Sequence, residues 1–476
     1  MCKPSLSENM TAEAAAKFKL FHDKMVAEGL SDAAIRAFRH SYTALLNGST
    51  GMIAEDSIQP ATNVPSLEAD IKGQYGNSTA LLAQTVVLKL NGGLGTSMGL
   101  DQAKSLLSVK GDDTFLDLTA KQVLHMRQSL GVDVKFVLMN SYNTSKDTLK
   151  FLQKYPQLSS DPNLELLQHK VPKINAASME PAAWPQAPHK EWCPPGHGDL
   201  YAALSGSGML NKLLAEGVKY MFVSNSDNLG ATLDTELLAY FAASEKPLVM
   251  EVCERTEADM KGGHLAVRTC DRRLIFRESA QCEGADAASF QDIKRHRFFS
   301  TNNMWVRLDR LREAIAAAGG LIPLPLIRNA KTVDPQDDKS PPVYQLETCM
   351  GHAIECFEGG GAVLVPRTRF APVKKCSDLL LLRSDAYVVS DAYNVVLAPH
   401  IPRAPLVDLD AKKFKLVSQL DAATAAGVPS LAQCQRFAVR GSVTLSTGCV
   451  IRGSVRSRMT AWRPRRCRRA STAMRR

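Results

Sequence analysis

A chain of 476 residues, 45% apolar and 22% charged, has the balance of an ordinary soluble protein and is long enough for two or three domains around a large core. Its net charge of +10 is concentrated in residues 457–476, which hold eight arginines and no acidic residue; without those eight, 50 basic residues face 48 acidic ones and the body is nearly neutral. No apolar run approaches a bilayer span and MCKPSLSENM lacks a signal-peptide core, which speaks against a membrane protein. Eleven scattered cysteines without a C-x-x-C pair argue against a disulfide framework or a zinc site, so free thiols and a cytoplasmic location are expected.

In chain order, residues 1–80 read as a helical N-terminal region. Thr11 and Ser31 are candidate N-caps and Gly29 ends the first helix. Phe18, Phe21 and Met25 make one apolar face, and Ile35, Phe38, Tyr42 and Leu45 another. A polar, turn-rich stretch over 48–76 leads into residues 81–400. There short β-branched runs at 85–90, 134–139, 220–224, 248–252 and 362–365 alternate with helical stretches at 115–131 and 198–217. The alternation predicts an α/β fold with a mostly parallel sheet, whose ligands bind at the carboxyl ends of the strands. Three distinctive segments follow apolar runs: the glycine-rich stretch after residue 90, residues 140–143, and residues 224–228.

Residues 401–456 change character. Val439-Arg-Gly-Ser-Val443 returns as Ile451-Arg-Gly-Ser-Val455, a twelve-residue repeat that predicts two hexapeptide units of a small parallel β-helix. The pattern stops at Val455, so the solenoid is expected to be truncated. The Arg-rich tail that follows carries no nucleic-acid-binding motif. Its Arg, Ala, Pro and Cys composition is what a GC-rich gene gives when read out of frame, and a frameshift near Arg456 is expected.

The most informative segment is TVVLKLNGGLGTSMGLDQAK, residues 85–104: a buried strand, a glycine-rich turn and then Lys104. Glycines bring bare N–H groups up to a polyphosphate, and a lysine supplies a point charge for a phosphate oxygen. Neither standard fingerprint fits. Gly93, Gly95 and Gly99 are spaced one residue too widely for a dinucleotide loop, and Met98-Gly99 stands where a P-loop needs Gly-Lys. The string Leu90–Gly99, with Asn91, Gly92 and Gly93 at its start, instead resembles the nucleotide-binding loop of UDP-glucose pyrophosphorylases residue for residue.

Further segments extend that resemblance in order over roughly residues 10–455. Gln168 precedes Pro172 as in the family's Q-x-x-x-P-[RK], whose amide reads the uracil edge with a donor and an acceptor side by side. Gly196 and His197, in PPGHGD, inherit a uridine-holding role. Asn225 and Asp227, in SNSDNLGA, sit beyond a buried strand; Asp227 is placed to meet Mg²⁺ near a phosphate. Gly263 in KGGHL, Glu278 in ESAQ and Asn302 in TNN resemble the sugar-binding side, with Glu278 and Asn302 bonding sugar hydroxyls. Lys374 in RFAPVK matches the lysine that contacts the sugar phosphate; Lys375 stands beside it, and the motif's spacing points to Lys374. VPKI and EPAAW look closer to the kinetoplastid branch, and Ser97 stands where bacterial sugar nucleotidyltransferases place an arginine.

The resemblance implies a Rossmann-like, GT-A-like nucleotidyltransferase core and a UTP:glucose-1-phosphate uridylyltransferase. Such an enzyme converts UTP and glucose-1-phosphate reversibly into UDP-glucose and pyrophosphate, with Lys104 and Lys374 as its catalytic cations and Mg²⁺ as cofactor. Two other readings stay open: a uridylyltransferase for another sugar-1-phosphate, and a non-catalytic nucleotide- or nucleic-acid-binding protein. Retention of both lysines, Asp227 and the histidine loop argues against the latter. Whether the chain is a monomer or a homo-oligomer is left open by the sequence.

Overall fold

The computed structural model describes residues 10–76 and 79–458. Of the basic tail, residues 457–476, all but the first two residues lie outside the described residues, and the expected change of frame near Arg456 falls at the very end of those described. No helix among those described is long and apolar enough to cross a membrane.

The N-terminal helices form as their caps dictate. α1 (Ala12–Ala27) and α2 (Asp32–Leu46) start at Thr11 and Ser31, whose side chains accept from the amides of Ala14 and Ala34. Their apolar faces meet through Phe21 and Tyr42, ring centroids 4.8 Å apart, and close over Val171, Ile174 and Leu346.

A ten-stranded sheet forms the centre. Its strands are β1 (Ile58–Pro60), β2 (Thr85–Asn91), β3 (Lys135–Asn140), β4 (Glu165–Leu167), β5 (Tyr220–Asn225), β6 (Leu248–Glu254), β7 (His264–Arg268), β8 (Leu274–Arg277), β9 (Phe298–Arg307) and β10 (Gly361–Leu364). The order is β1-β7-β9-β5-β2-β3-β4, with β6 pairing to β9 and β10, and β8 to β7. From β5 through β2 and β3 to β4 all neighbours are parallel, as the alternating pattern predicts. The other half is different: β9 runs antiparallel to β5, β6 and β7. The sheet is therefore mixed. Polar residues at the middle of β9, Ser300-Thr301-Asn302-Asn303, hide that strand from a reading based on apolar runs.

Alternate residues of β2 feed opposite cores. Val86 and Leu88 pack with Met221, Val223 and Met304, whereas Val87 packs with Phe136, Phe222 and Trp305. The helix Phe115–Leu130 covers the second core. It is opened by a capping box between Thr114 and Asp117 and closed by Gly131 in the left-handed conformation.

At the C-terminus β11 (Leu406–Asp408), β12 (Ser430–Arg440) and β13 (Val450–Arg458) form a parallel three-stranded sheet. The twelve-residue repeat does not set its register. Ser430 pairs with Val450 and Val439 with Ser457, an offset of 18 to 20 residues between β12 and β13, whereas Leu406 pairs with Arg436, an offset of 30 between β11 and β12. The first copy of the repeat straddles the end of β12, where Gly441 turns at φ +87°, whereas the second lies inside β13. The core of this unit also takes in Leu379, Leu380, Val373 and, from the glycine-loop side, Met98.

Candidate active site

The carboxyl ends of β2, β3 and β5 converge, and the expected site residues gather there. β2 delivers Asn91, and the chain then turns through Gly95 and Gly99, both left-handed at φ +67° and +77°. A Cβ on Gly99 would come within 2.9 Å of Leu416, so the loop rests against the C-terminal unit. The Lys104 amide donates to the Gly93 carbonyl at 3.0 Å, folding the lysine back over the glycines.

Lys104 Nζ lies 2.5 Å from Asp227 Oδ2, and both side chains keep about a fifth of their surface exposed, 16% and 20%. The catalytic cation and the metal-meeting carboxylate expected from two distant motifs are thus direct partners. The Asp227 loop is fixed from the other side by Asn228, which is buried. Its amide donates to the Arg369 carbonyl at 3.1 Å and its oxygen accepts from the Ala371 amide at 2.9 Å. This ties SNSDNLG to RFAPVK and brings Lys374 to the same mouth.

Two of the loop's side chains are taken up by the sheet. The Asn91 side chain is 2% exposed and donates to Asn140 Oδ1 at 2.7 Å and Thr148 Oγ1 at 3.0 Å. It splices β2 to β3, and both side-chain N–H donors are spent within the fold. Leu90 is partly buried against the first sheet core. Gly92 is where the loop meets Gln168: a Cβ there would lie 2.6 Å from Gln168 Oε1. Gln168 in turn donates through Nε2 to the Gly196 carbonyl at 2.8 Å, which joins the glycine loop to the histidine loop.

Gly196 sits at φ +78°, ψ +171°, and a Cβ on it would be 2.4 Å from the Thr348 carbonyl oxygen. Only glycine fits. His197 accepts from the Met350 amide at Nδ1, 3.1 Å, so the ring proton is on Nε2. Burial lowers its pKa to about 4 and keeps the ring neutral. Cys349 Sγ lies 3.6 Å from His197 Nε2 and 3.8 Å from Glu278 Oε1, so one thiol bridges the expected nucleotide and sugar sides.

On the sugar side, a Cβ on Gly263 would lie 2.9 Å from Glu278 Oε2. Burial raises the Glu278 pKa, and the nearby Lys374 ammonium opposes that rise. Lys374 thus lies close enough to Glu278 for its charge to act there. Asn302 is left-handed at φ +60° inside β9, where the pairing with β6 slips between Glu251 and Val252. That bulge aims Asn302 Nδ2 at Asn225 Oδ1, 2.9 Å away.

Beneath the site lies a charged layer that motif reading missed. Glu251, fully buried, accepts from Arg369 at 2.7 and 2.9 Å, from Trp305 Nε1 at 2.9 Å and from Asn303 Nδ2 at 3.0 Å. Lys89, 4% exposed, lies under the Asp227 loop. Both had a visible signal: a single charge inside an apolar strand, LVMEVC and VVLKLN, demands a buried partner. His169 was also missed. Its Nδ1 lies 3.0 Å from Asp199 Oδ1 and its amide donates to Asp199 Oδ2 at 2.8 Å, anchoring the Gln168 segment to the start of the next helix.

Among the described residues no cluster of three or more His, Cys, Asp or Glu could enclose a metal. Asp227 offers one carboxylate next to an ammonium. That donor set suits Mg²⁺, which keeps its waters and takes its remaining ligands from substrate phosphates, and does not suit a caged metal such as zinc.

The chain is similar to known proteins over most of its length. The family described as UTP–glucose-1-phosphate uridylyltransferase matches residues 35–452. The protein of that name from Encephalitozoon cuniculi is 36% identical over 79% of this chain and 74% of its own length; that from Hordeum vulgare is 38% identical over 79% and 77%. A variant of UDP-glucose pyrophosphorylase from Leishmania major, solved in complex with UDP-glucose, superposes with a TM-score of 0.89 at 47% identity, covering 94% of this chain and 95% of the other. A Trypanosoma brucei structure called UDP-glucose phosphorylase gives 0.87 at 47%, covering 95% and 97%. The higher identity to these two kinetoplastid proteins agrees with the VPKI and EPAAW resemblance. The chain belongs to the UTP–glucose-1-phosphate uridylyltransferase family.

Proposed function

We infer that the chain transfers a uridylyl group from UTP to glucose-1-phosphate, giving UDP-glucose and pyrophosphate. The observation that supports this most is the Lys104–Asp227 pair, set between Gln168, Gly196 and His197 on one side and Gly263, Glu278, Asn302 and Lys374 on the other.

In this reading a phosphate oxygen of glucose-1-phosphate attacks the α-phosphorus of UTP in line. One P–O bond forms as the bond to the β-phosphate oxygen breaks, and pyrophosphate leaves with that electron pair. The attacking phosphate is already ionised at neutral pH, so no general base is required, and the reverse reaction follows the same path. What remains for the protein is positioning and charge neutralisation. Gln168 meets the uracil edge, with Gly92 leaving room for it. Lys104 stabilises the triphosphate, and Lys374 holds the sugar phosphate. Asn225, Asn302 and Glu278 receive the sugar. Asp227 would hold Mg²⁺, which supplies charge neutralisation at the phosphates. A cytoplasmic location fits a chain acting on soluble sugar phosphates.

The test is pyrophosphate release from UTP with a panel of sugar-1-phosphates, with and without Mg²⁺. Glucose-1-phosphate should give the highest kcat/KM and chelation should abolish turnover. Equal or better turnover of another sugar-1-phosphate would replace glucose as substrate. Absence of release with every sugar would sink the reading.

A further inference from the structure

Lys89 is a buried lysine that the mechanism leaves unused. Lys89 lies on β2 directly across the parallel ladder from Ser224 on β5. Its Nζ donates to Ser224 Oγ at 2.7 Å and to the Ala231 carbonyl at 2.6 Å, with the Phe222 ring centroid 5.9 Å away. Ser224 is the next-to-last residue of β5, just before the Asp227 loop, and Ala231 lies on the far side of Asp227 in that loop. One ammonium therefore holds both ends of the eight-residue segment that carries Asp227. It does so from the strand that leads into the glycine loop and Lys104.

This arrangement is costly as a packing solution. Burying an ammonium loses hydration that two neutral acceptors replace only in part. The nearest charges are Arg369, which opposes it, and Glu251, which is already bonded to Arg369. A methionine would fill the same volume without that cost, but it could not hold the Ala231 carbonyl. What the lysine adds is a fixed distance between two chain segments whose side chains, Lys104 and Asp227, must meet.

We propose that Lys89 is a positioning residue for uridylyl transfer: a clamp across β2 and β5 that sets the Asp227 loop against Lys104. The proposal rests on the functional reading above, and it acts through Asp227 without touching substrate.

The test compares the wild-type chain with Lys89→Met and, as a milder variant, Ser224→Ala. In Lys89→Met, kcat should fall about 10- to 100-fold while KM for glucose-1-phosphate stays within about twofold, since the clamp aligns reacting groups and does not bind the sugar. Amide exchange over residues 224–231 should accelerate about tenfold, with no change in α1 and α2. The melting temperature should stay within a few degrees of wild type, because loss of the ammonium's burial cost offsets the orphaned carbonyl. Ser224→Ala, which keeps the Ala231 bond, should fall between the two. Unchanged kcat together with unchanged exchange would overturn the clamp, as would a loss of activity fully matched by a loss of folded protein. If the wild type itself transfers no uridylyl group, the functional reading fails, while the exchange measurement still decides the clamp.

Discussion

Lys104 Nζ and Asp227 Oδ2, which stand on loops leaving two adjacent parallel strands, are 2.5 Å apart at the mouth of the site. Their charges are neutralised by each other until a polyphosphate arrives. Lys104→Ala should lower kcat by about 10²–10³-fold, the loss seen when one preorganised donor to a developing charge is removed. Because Asp227 stays partly exposed at 20%, water can replace its partner, and the melting temperature should barely move. Single-turnover rates measured beside thermal denaturation separate the two effects; a near-normal rate would remove Lys104 from the chemistry.

Gly92 and Gln168 give a test confined to the nucleotide. A methyl at residue 92 would meet Gln168 Oε1 at 2.6 Å, and that atom is the far end of a flexible side chain. Gly92→Ala should therefore displace the amide without unfolding the loop. The expected outcome is a KM for UTP raised by about tenfold, near the cost of one good hydrogen bond, with KM for glucose-1-phosphate unchanged. Gly196→Ala should behave differently. Its Cβ would strike a backbone carbonyl at 2.4 Å in a conformation reserved for glycine, so at least about 1–3 kcal/mol of stability should be lost, measurable by urea denaturation.

The His169–Asp199 pair predicts a pH dependence. Burial alone would lower the His169 pKa, but the hydrogen bond and the charge of Asp199 outweigh it and raise the value above the ordinary one. A raised folded-state pKa means that the folded protein binds the proton more tightly than the unfolded chain. The contribution is then complete below the unfolded value of about 6.5 and is lost as pH rises through the folded value. The stability difference between wild type and His169→Gln should be largest near pH 6 and shrink toward pH 9. A difference that grows with pH would show that the ring is not protonated in the folded state.

How far the sequence reaches is visible in particular residues. The strands at Thr85–Asn91 and Tyr220–Asn225 lie within a residue of their sequence-based bounds because each is a largely apolar run ended by a loop, broken in the first only by Lys89. β9 escaped because its inward polar residues, Thr301 and Asn303, bond to the Glu251 backbone and side chain and so belong to a buried network that has no periodic signature. The C-terminal repeat was visible, but its register was not, since the first copy ends a strand and the second lies within one. Motif spacing gathered the residues at the mouth of the site. It was silent about Lys89, Cys349 and His169, whose partners are distant in the chain and meet them only through the fold. Asn91 shows the converse: it falls inside a ten-residue motif, yet its side chain serves the sheet.

The Glu251–Arg369 pair gives the sharpest test of that buried layer. Arg369 belongs to the segment that delivers Lys374, and its two bonds to Glu251, together with one from Nη2 to the Thr232 carbonyl at 2.9 Å, fix that segment under the sheet. Glu251→Gln leaves the buried guanidinium only the Asp234 carboxylate, 3.8 Å away, as counter-charge and should cost about 3–5 kcal/mol. Arg369→Met leaves the carboxylate to Trp305 and Asn303 alone and should cost a comparable amount. In Glu251→Gln with Arg369→Met neither member of the pair is left behind as a lone buried charge, so the double variant should lose less than the sum of the two single losses, with a coupling of about 1–3 kcal/mol in a double-mutant cycle by chemical denaturation. Strictly additive losses would mean that the two side chains are stabilised by their other neighbours and not by each other. Recovery of stability without recovery of kcat in the double variant would then assign the pair's role to placing Lys374, because a restored fold alone does not restore the hold of Arg369 on residues 369–374.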